Sequence, residues 1–277
     1  MATGSAGSLG AGPIRGQVVG EALLGPDGSA GLWTSVRVVA STGSTNADLL
    51  ARGGPEGQVL VAEEQTAGRG RAGRTWVSQP GASLTFSVLL RPASVPPSAR
   101  GWLPLLTGVA VAAGVRSASG VEARLKWPND VLVGDRKLAG ILAEQSPDGD
   151  AVVIGVGLNV ATSESALPVS PTGLPATSLL VAGADVAREV LLAEILRSLE
   201  HWYLRFSADP DPVGSGLLAE YRAACATLGR QVRVELPASR VLAGLAEDVD
   251  ASGRLLVRPA DAASATAVSA GDVVHLR

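Results

Sequence analysis

GRGRAGRTW, residues 68–76, is the stretch on which the choice of fold turns. Taken literally it contains G-x-G-x-x-G at Gly68, Gly70 and Gly73, the fingerprint of a dinucleotide-binding turn. That turn needs a helix starting among the glycines and an acidic residue about 20 positions later. Here the chain runs on as Thr75-Trp76-Val77-Ser78-Gln79-Pro80-Gly81, and proline cannot sit inside a helix. Residues 88–93 read Val-Leu-Leu-Arg-Pro-Ala and contain no carboxylate. A doubly wound dinucleotide-binding sheet is therefore excluded.

What remains is a loop that interleaves Arg69, Arg71 and Arg74 with glycines. Glycine lets backbone approach a ligand and change conformation, and arginine offers a fixed fork of donors to phosphate or carboxylate. A solvated basic turn, or a weak RNA-contacting patch, uses the same residues.

Upstream, Ser44-Thr45-Asn46 precedes Ala47-Asp48-Leu49-Leu50 and then Gly53, which predicts a short capped helix with Asp48 answering Thr45 in a capping box. Val59–Glu63 and Leu84–Leu90 are apolar runs of strand length, and Arg100–Ser117 is apolar nearly all round, a buried helix that Gly108 and Gly114 would let pack closely. Strand-like runs follow at Arg124–Trp127, Lys137–Glu144 and Val152–Val156, and 161–178 reads as a loop. Val186–Phe206 repeats apolar residues at helical spacing, and a last helix spans Gly216–Thr227. From Arg230 the pattern becomes short strands (Val232–Leu236, Val241–Val249, Arg254–Val257, Val273–Leu276), which predicts a small all-β, SH3-like unit. The expected division is 1–35 flexible or poorly defined, 36–228 catalytic, and 229–277 the small β-domain.

Composition narrows the setting. The chain has 277 residues, 46% of them hydrophobic, and a formal charge of -3, so it has no global basic field and any anion site must be local. Its single cysteine, Cys225, allows no internal disulfide, fits a reducing compartment and reads as a small core residue. Leu103–Val115 is uncharged but too short to span a bilayer, and the start MATGSAGSLGAGP lacks a secretory pattern. A cytoplasmic protein with no membrane partner is the expectation. His201 and His275 read as structural, and no cluster of metal-ligating side chains stands out, so no protein metal ligand is assigned.

Three further motifs carry chemistry. KWPNDV (126–131) ends a strand in a Pro-Asn-Asp turn, KLAGIL (137–142) places Lys137 at the head of an apolar strand with Gly140 inside it, and GVGLN (155–159) runs through two glycines to Asn159. Each alone is compatible with an ordinary turn or a solvated lysine. Together, Ser44-Thr45-Asn46, Gln65 with GRGRAGRTW, KWPNDV, KLAGIL and GVGLN resemble the biotin–protein ligases in order and spacing, in detail over about residues 36–160 and more loosely through to Ala270-Gly271-Asp272-Val273.

That resemblance implies an α+β fold: a mixed β-sheet with flanking helices, related to class II aminoacyl-tRNA synthetases, plus a small C-terminal SH3-like barrel. It implies ATP-dependent activation of biotin to biotinyl-5'-AMP, then transfer to a lysine of a biotin carboxyl carrier protein or domain of an acyl-CoA carboxylase, with Mg²⁺ accompanying ATP. By position it assigns Ser44, Thr45, Asn46, Gln65, Gly68, Arg69, Gly70, Arg71, Lys137 and Gly140 to biotin. Arg71, Arg74, Trp76, Asn129, Lys137 and Asn159 go to ATP, and Lys137, Arg71 and Asp130 to catalysis, with Asp130 orienting the acceptor lysine, acting as its base, or capping the turn. About 35 residues precede the catalytic core and lack the helical periodicity of a winged helix-turn-helix, so the monofunctional type without DNA binding is expected. A lipoate–protein ligase, which shares the fold and adenylate logic, a biotin-responsive repressor and an inactive biotin-binding module are the alternatives.

Overall fold

The computed structural model describes residues 12–24, 31–168, 174–236 and 240–276. The expectation of flexibility at the extreme N-terminus, and part of the 161–178 loop, fall outside these residues. Residues 12–24, which the sequence leaves unassigned, hold a helix, α1 (Gly16–Ala22), packed on β1 (Ser35–Thr42) and α4 (Arg188–Ala208).

Helix α2 (Thr45–Arg52) differs from expectation at its start. Ser44 is the N-cap and accepts from the Ala47 amide, while Asp48 Oδ2 accepts from Thr42 Oγ1 at 2.7 Å. The capping box around Thr45 does not form, because the cap falls one residue earlier and Thr45 is drawn into the pocket described below.

The main sheet adds β2 (Gln58–Gln65), β3 (Ser83–Leu90), β4 (Arg124–Lys126), β5 (Asp130–Val133), β6 (Arg136–Gln145) and β7 (Val152–Asn159), in the order β1-β2-β3-β7-β6-β5-β4. Only β1 and β2 pair in parallel, so the sheet is mixed. The predicted turn at Asn129-Asp130 is shorter than expected, for Asp130 already opens β5 opposite Lys126. Four residues carry too little periodicity to announce a strand.

All eight residues of β3 are buried, although helices cover only part of one of its faces and the Trp76 indole of the glycine–arginine loop lies over the rest, beside Gly157. On one face α3 (Trp102–Ser119) and α4 pack together and share one core with Val59, Val61, Val88, Ile154 and Val156. At Gly114 a Cβ would lie 2.7 Å from the Ile195 backbone, so the two helices touch main chain to main chain there. On the other face α2 seals a smaller cluster of Leu49, Leu60, Leu89, Ala151 and Val153. Beyond that cluster, none of the described helices lies above the same face.

Helix α5 (Leu217–Ala224) leads to a second, antiparallel sheet of β8 (Gln231–Leu236), β9 (Arg240–Val249), β10 (Leu255–Arg258), β11 (Thr266–Val268) and β12 (Asp272–His275), ordered β11-β10-β9-β8-β12. The small C-terminal β unit is thus present, with β11 one strand more than the sequence predicts. Trp127 Nε1 donates to the Gly253 carbonyl and the Trp127 amide to Thr227 Oγ1, tying this unit to the KWPND turn.

Candidate active site

Two register rows cross the sheet on the face left open by α2. One runs Leu60, Ser87, Gly155, Leu142, and the next runs Ala62, Thr85, Gly157, Gly140, Asp130, Lys126. Glycines at the centre of both rows make a trough where other residues would raise side chains. A Cβ on Gly157 would meet the Trp76 indole at 2.2 Å, and one on Gly155 would meet Asn46 Oδ1 at 2.4 Å. The trough is the floor of a cavity of about 690 Å³.

At one end a polar cluster is already assembled. Gln65 Oε1 accepts from the Thr45 amide at 2.8 Å and from Thr45 Oγ1 at 3.0 Å. Ser87 Oγ lies 2.6 Å from both Thr45 Oγ1 and Asn46 Oδ1, and Asn46 Nδ2 donates to Glu144 Oε2 at 2.8 Å. Ser44, Thr45 and Asn46 are buried, so this set offers fixed donors and acceptors in a dry wall.

At the other end the charges are concentrated. Asp130 receives Lys137 Nζ on Oδ1 at 2.5 Å and Lys126 Nζ on Oδ2 at 3.4 Å. Burial pushes the Asp130 carboxyl up, but Lys137 and Lys126 outweigh it and hold the group below the usual carboxylate range. Burial lowers Lys126, only partly offset by Asp130.

The glycine–arginine loop spans the two ends. Its turn puts Ala72 and Gly73 in the left-handed region, at φ 54° and 72°, and the Trp76 amide bonds back to the Gly68 carbonyl. Each arginine has a partner on a different element: Arg69 on Glu144 at 3.4 Å, Arg71 on Asn129 Oδ1 at 3.1 Å, and Arg74 on Asp272 at 2.8 Å. Desolvation, first of all, lowers the pKa of Arg71.

The structure brings together nearly every residue singled out from sequence. Ser44, Thr45, Asn46 and Gln65 line one wall, Arg69, Gly70, Arg71, Arg74 and Trp76 form the cover, and Asn129, Asp130, Lys137, Gly140 and Asn159 complete the far side. Gly68 stands outside the lining: it turns the loop, and a Cβ there would meet the Trp76 carbonyl at 2.4 Å. Asn159 is buried and donates to the Thr177 carbonyl.

Sequence reasoning missed Lys126, Thr85 and the contribution of the small sheet through Arg233, Glu235 and Asp272, which line the cavity, and Ser87, which backs Thr45 and Asn46. Lys126 and Asp272 stood inside stretches already noted; the others have no local signal, since only strand pairing sets them in place. Among the described residues, no group of three or more His, Cys, Asp or Glu could hold a metal ion, and no helix is long and apolar enough to cross a membrane.

A glycine-floored cavity with a polar cluster at one end, cations at the other and an arginine loop above suits an enzyme that activates a carboxylate with a nucleotide. The known proteins that this chain resembles are of that kind. The Biotin/lipoate A/B protein ligase family matches residues 35–160, and the Biotin protein ligase C terminal domain matches residues 227–276. A biotin–[acetyl-CoA-carboxylase] ligase of Mycobacterium tuberculosis is 45% identical over 259 residues, 90% of this chain and 92% of that protein. The bifunctional ligase/repressor BirA of Bacillus spizizenii is 34% identical over 69% of this chain and 56% of its own length. Among solved structures, biotin protein ligase from Aquifex aeolicus in complex with biotin and ATP superposes with a TM-score of 0.75 at 26% identity, covering 88% of this chain and all of that one. The chain belongs to the biotin–protein ligase branch of the biotin/lipoate ligase family.

Proposed function

We propose that this chain is an ATP-dependent biotin–protein ligase. It joins biotin to AMP with release of pyrophosphate, and then transfers biotin to a lysine of a biotin carboxyl carrier protein or domain of an acyl-CoA carboxylase. The observation that carries this reading is the polarity of one trough: neutral donors and acceptors at the Thr45–Gln65–Ser87 end, and cations at the Lys126–Lys137–Arg71 end.

The ureido ring, with its paired N–H and C=O groups, fits the first end through Ser44, Thr45, Asn46 and Gln65. The valerate carboxylate then reaches Lys137 over Gly140. Activation brings that carboxylate onto the α-phosphate of ATP, two anions that repel until fixed cations neutralise them in line. Lys137 and Arg71 fill this role, with Arg69 and the turn at Gly68 and Gly70 closing over biotin. Arg74, Trp76, Asn129 and Asn159 form the nucleotide side.

Magnesium would come in with the phosphates of ATP. The two pocket aspartates engage cations of the chain itself, Asp130 with two lysines and Asp272 with Arg74, so the described residues supply no ready cage. Residues 36–228 would form the catalytic domain and 229–277 the small domain, the whole working in the cytoplasm.

Mixing the protein with biotin, ATP and Mg²⁺ and searching for biotinyl-AMP by mass spectrometry tests the proposal. Adenylate formed from lipoate and not from biotin would reassign the substrate, and no adenylate from either would overturn the reading. A gel-shift assay with DNA tests the repressor alternative separately.

A further inference from the structure

Thr85 lies in the floor of the trough, 3% exposed, and its Oγ1 has no hydrogen-bond partner. A buried hydroxyl left unpaired costs stability that an apolar side chain of the same shape would not. The chain therefore carries at the centre of β3 a donor whose partner comes from outside.

Its place in the register indicates which part of a ligand that is. Thr85 and Ser87 share a face of β3, about 7 Å apart along the strand. Ser87 belongs to the polar cluster with Thr45 and Asn46. Thr85 belongs to the adjoining row, which leads through Gly157 and Gly140 to Asp130 and Lys126. A ligand with its ureido group at the first cluster and its carboxylate at Lys137 passes Thr85 with the middle of its skeleton. In biotin that middle is the saturated sulfur ring, whose one heteroatom is a thioether, a weak acceptor for a hydroxyl.

The indole Nε1 of Trp76 is a second unpartnered donor over the same floor. It rides on the glycine–arginine loop, whereas the Thr85 backbone is paired on both sides, to Ala62 and to Gly157.

We propose that Thr85 is a specificity-determining residue that donates a hydrogen bond to the ring sulfur of biotin, so that the enzyme tells biotin from its sulfur-free analogue dethiobiotin. This rests on the biotin–protein ligase reading, and its test is built to fail separately. Thr85→Val keeps the shape and removes the hydroxyl; Thr85→Ser keeps the hydroxyl. Affinities of the full chain for biotin and for dethiobiotin are measured by calorimetry, with the melting temperature of each unliganded variant.

For Thr85→Val, the biotin Kd is expected to rise about three- to tenfold. The dethiobiotin Kd should change much less, so that the ratio between the two ligands collapses. The unliganded melting temperature should hold or rise, since valine leaves no orphan. Thr85→Ser should keep most of the ratio. An equal change for both ligands, or none for either, overturns the assignment to the sulfur. A lower melting temperature in Thr85→Val with an unchanged ratio shows a purely structural residue. Failure of the wild-type chain to bind biotin at all would instead defeat the functional reading.

Discussion

Lys137 Nζ stands 2.5 Å from Asp130 Oδ1, while Lys126 Nζ holds the other oxygen of the same carboxylate at 3.4 Å. A carboxylate between two ammonium groups is a weak proton acceptor, because taking a proton forfeits both attractions. Of the roles open to Asp130 from sequence, this favours orienting the acceptor lysine as an ammonium over removing its proton. The nitrogen would shed one proton to water before attacking the biotinyl carbonyl and a second afterwards, as AMP leaves with the bonding pair.

Asp130→Asn should destabilise the protein by about 3 kcal/mol, because both lysines then lose their buried counter-charge. The pH dependence has a definite sign. The folded pKa of Asp130 lies below its ordinary value, so its stabilisation is fully present above about pH 3.9 and fades as pH falls through the folded value. Urea unfolding between pH 2.5 and 6 should show a shallower acid limb in the variant. An unchanged limb would mean that the triad contributes nothing to folding.

Lys137→Ala should slow biotin-dependent pyrophosphate release by roughly a hundredfold or more, the usual loss when one fixed charge donor to a developing anion is removed. The fold should survive, since Lys126 still neutralises Asp130. Circular dichroism checks the fold and single-turnover kinetics check the step. A release rate within a few-fold of wild type would remove Lys137 from the adenylation chemistry.

These residues also mark what sequence could and could not reveal. Lys137, Arg71 and Gln65 sit in contiguous motifs whose order carried the resemblance, and long runs such as Val186–Phe206 announce their helix by spacing. Thr85 and Asp272 reach the cavity only through pairing: Thr85 by its register against Gly157, and Asp272 by the strand β12 that borders β8. No local pattern encodes such contacts. The error at α2 is of the same kind, because Thr45 satisfies both capping rules and pocket chemistry, and the tertiary bonds to Gln65 and Ser87 decide between them.

A second pH effect should come from the small sheet. His275 Nε2 lies 3.0 Å from Thr227 Oγ1, the oxygen that also accepts from the Trp127 amide. Burial first, then Lys126 and Arg230, lowers its pKa from 6.5 to about 4. For a base held neutral in the fold, stability is full above pH 6.5, declines as pH falls to about 4, and then levels off. Solvent screening keeps the loss on the order of 1 kcal/mol. His275→Gln should flatten that window while leaving the deeper acid limb of Asp130 in place. Identical profiles for wild type and variant between pH 4 and 6.5 would refute this.

The last prediction concerns Arg74, which faces two claims at once. Its Nη2 is held by Asp272 Oδ1 at 2.8 Å, and its Nε donates to the Arg71 carbonyl, so it straps the glycine–arginine loop to β12. In the proposed function the same guanidinium serves the phosphates of ATP, and it cannot fully satisfy both carboxylate and phosphate. The ion pair is about one-third exposed on each side, which places its worth at roughly 0.5–1 kcal/mol. If ATP must displace Asp272, then Asp272→Asn should tighten ATP binding by about two- to fivefold. Arg74→Ala should weaken it, and the double variant should behave like Arg74→Ala, since Asp272 then has nothing left to compete for. Isothermal titration with a non-hydrolysable ATP analogue in biotin-saturated protein would measure all three. Weaker ATP binding in Asp272→Asn would show instead that the strap to β12, and not the freed charge, is what the nucleotide requires.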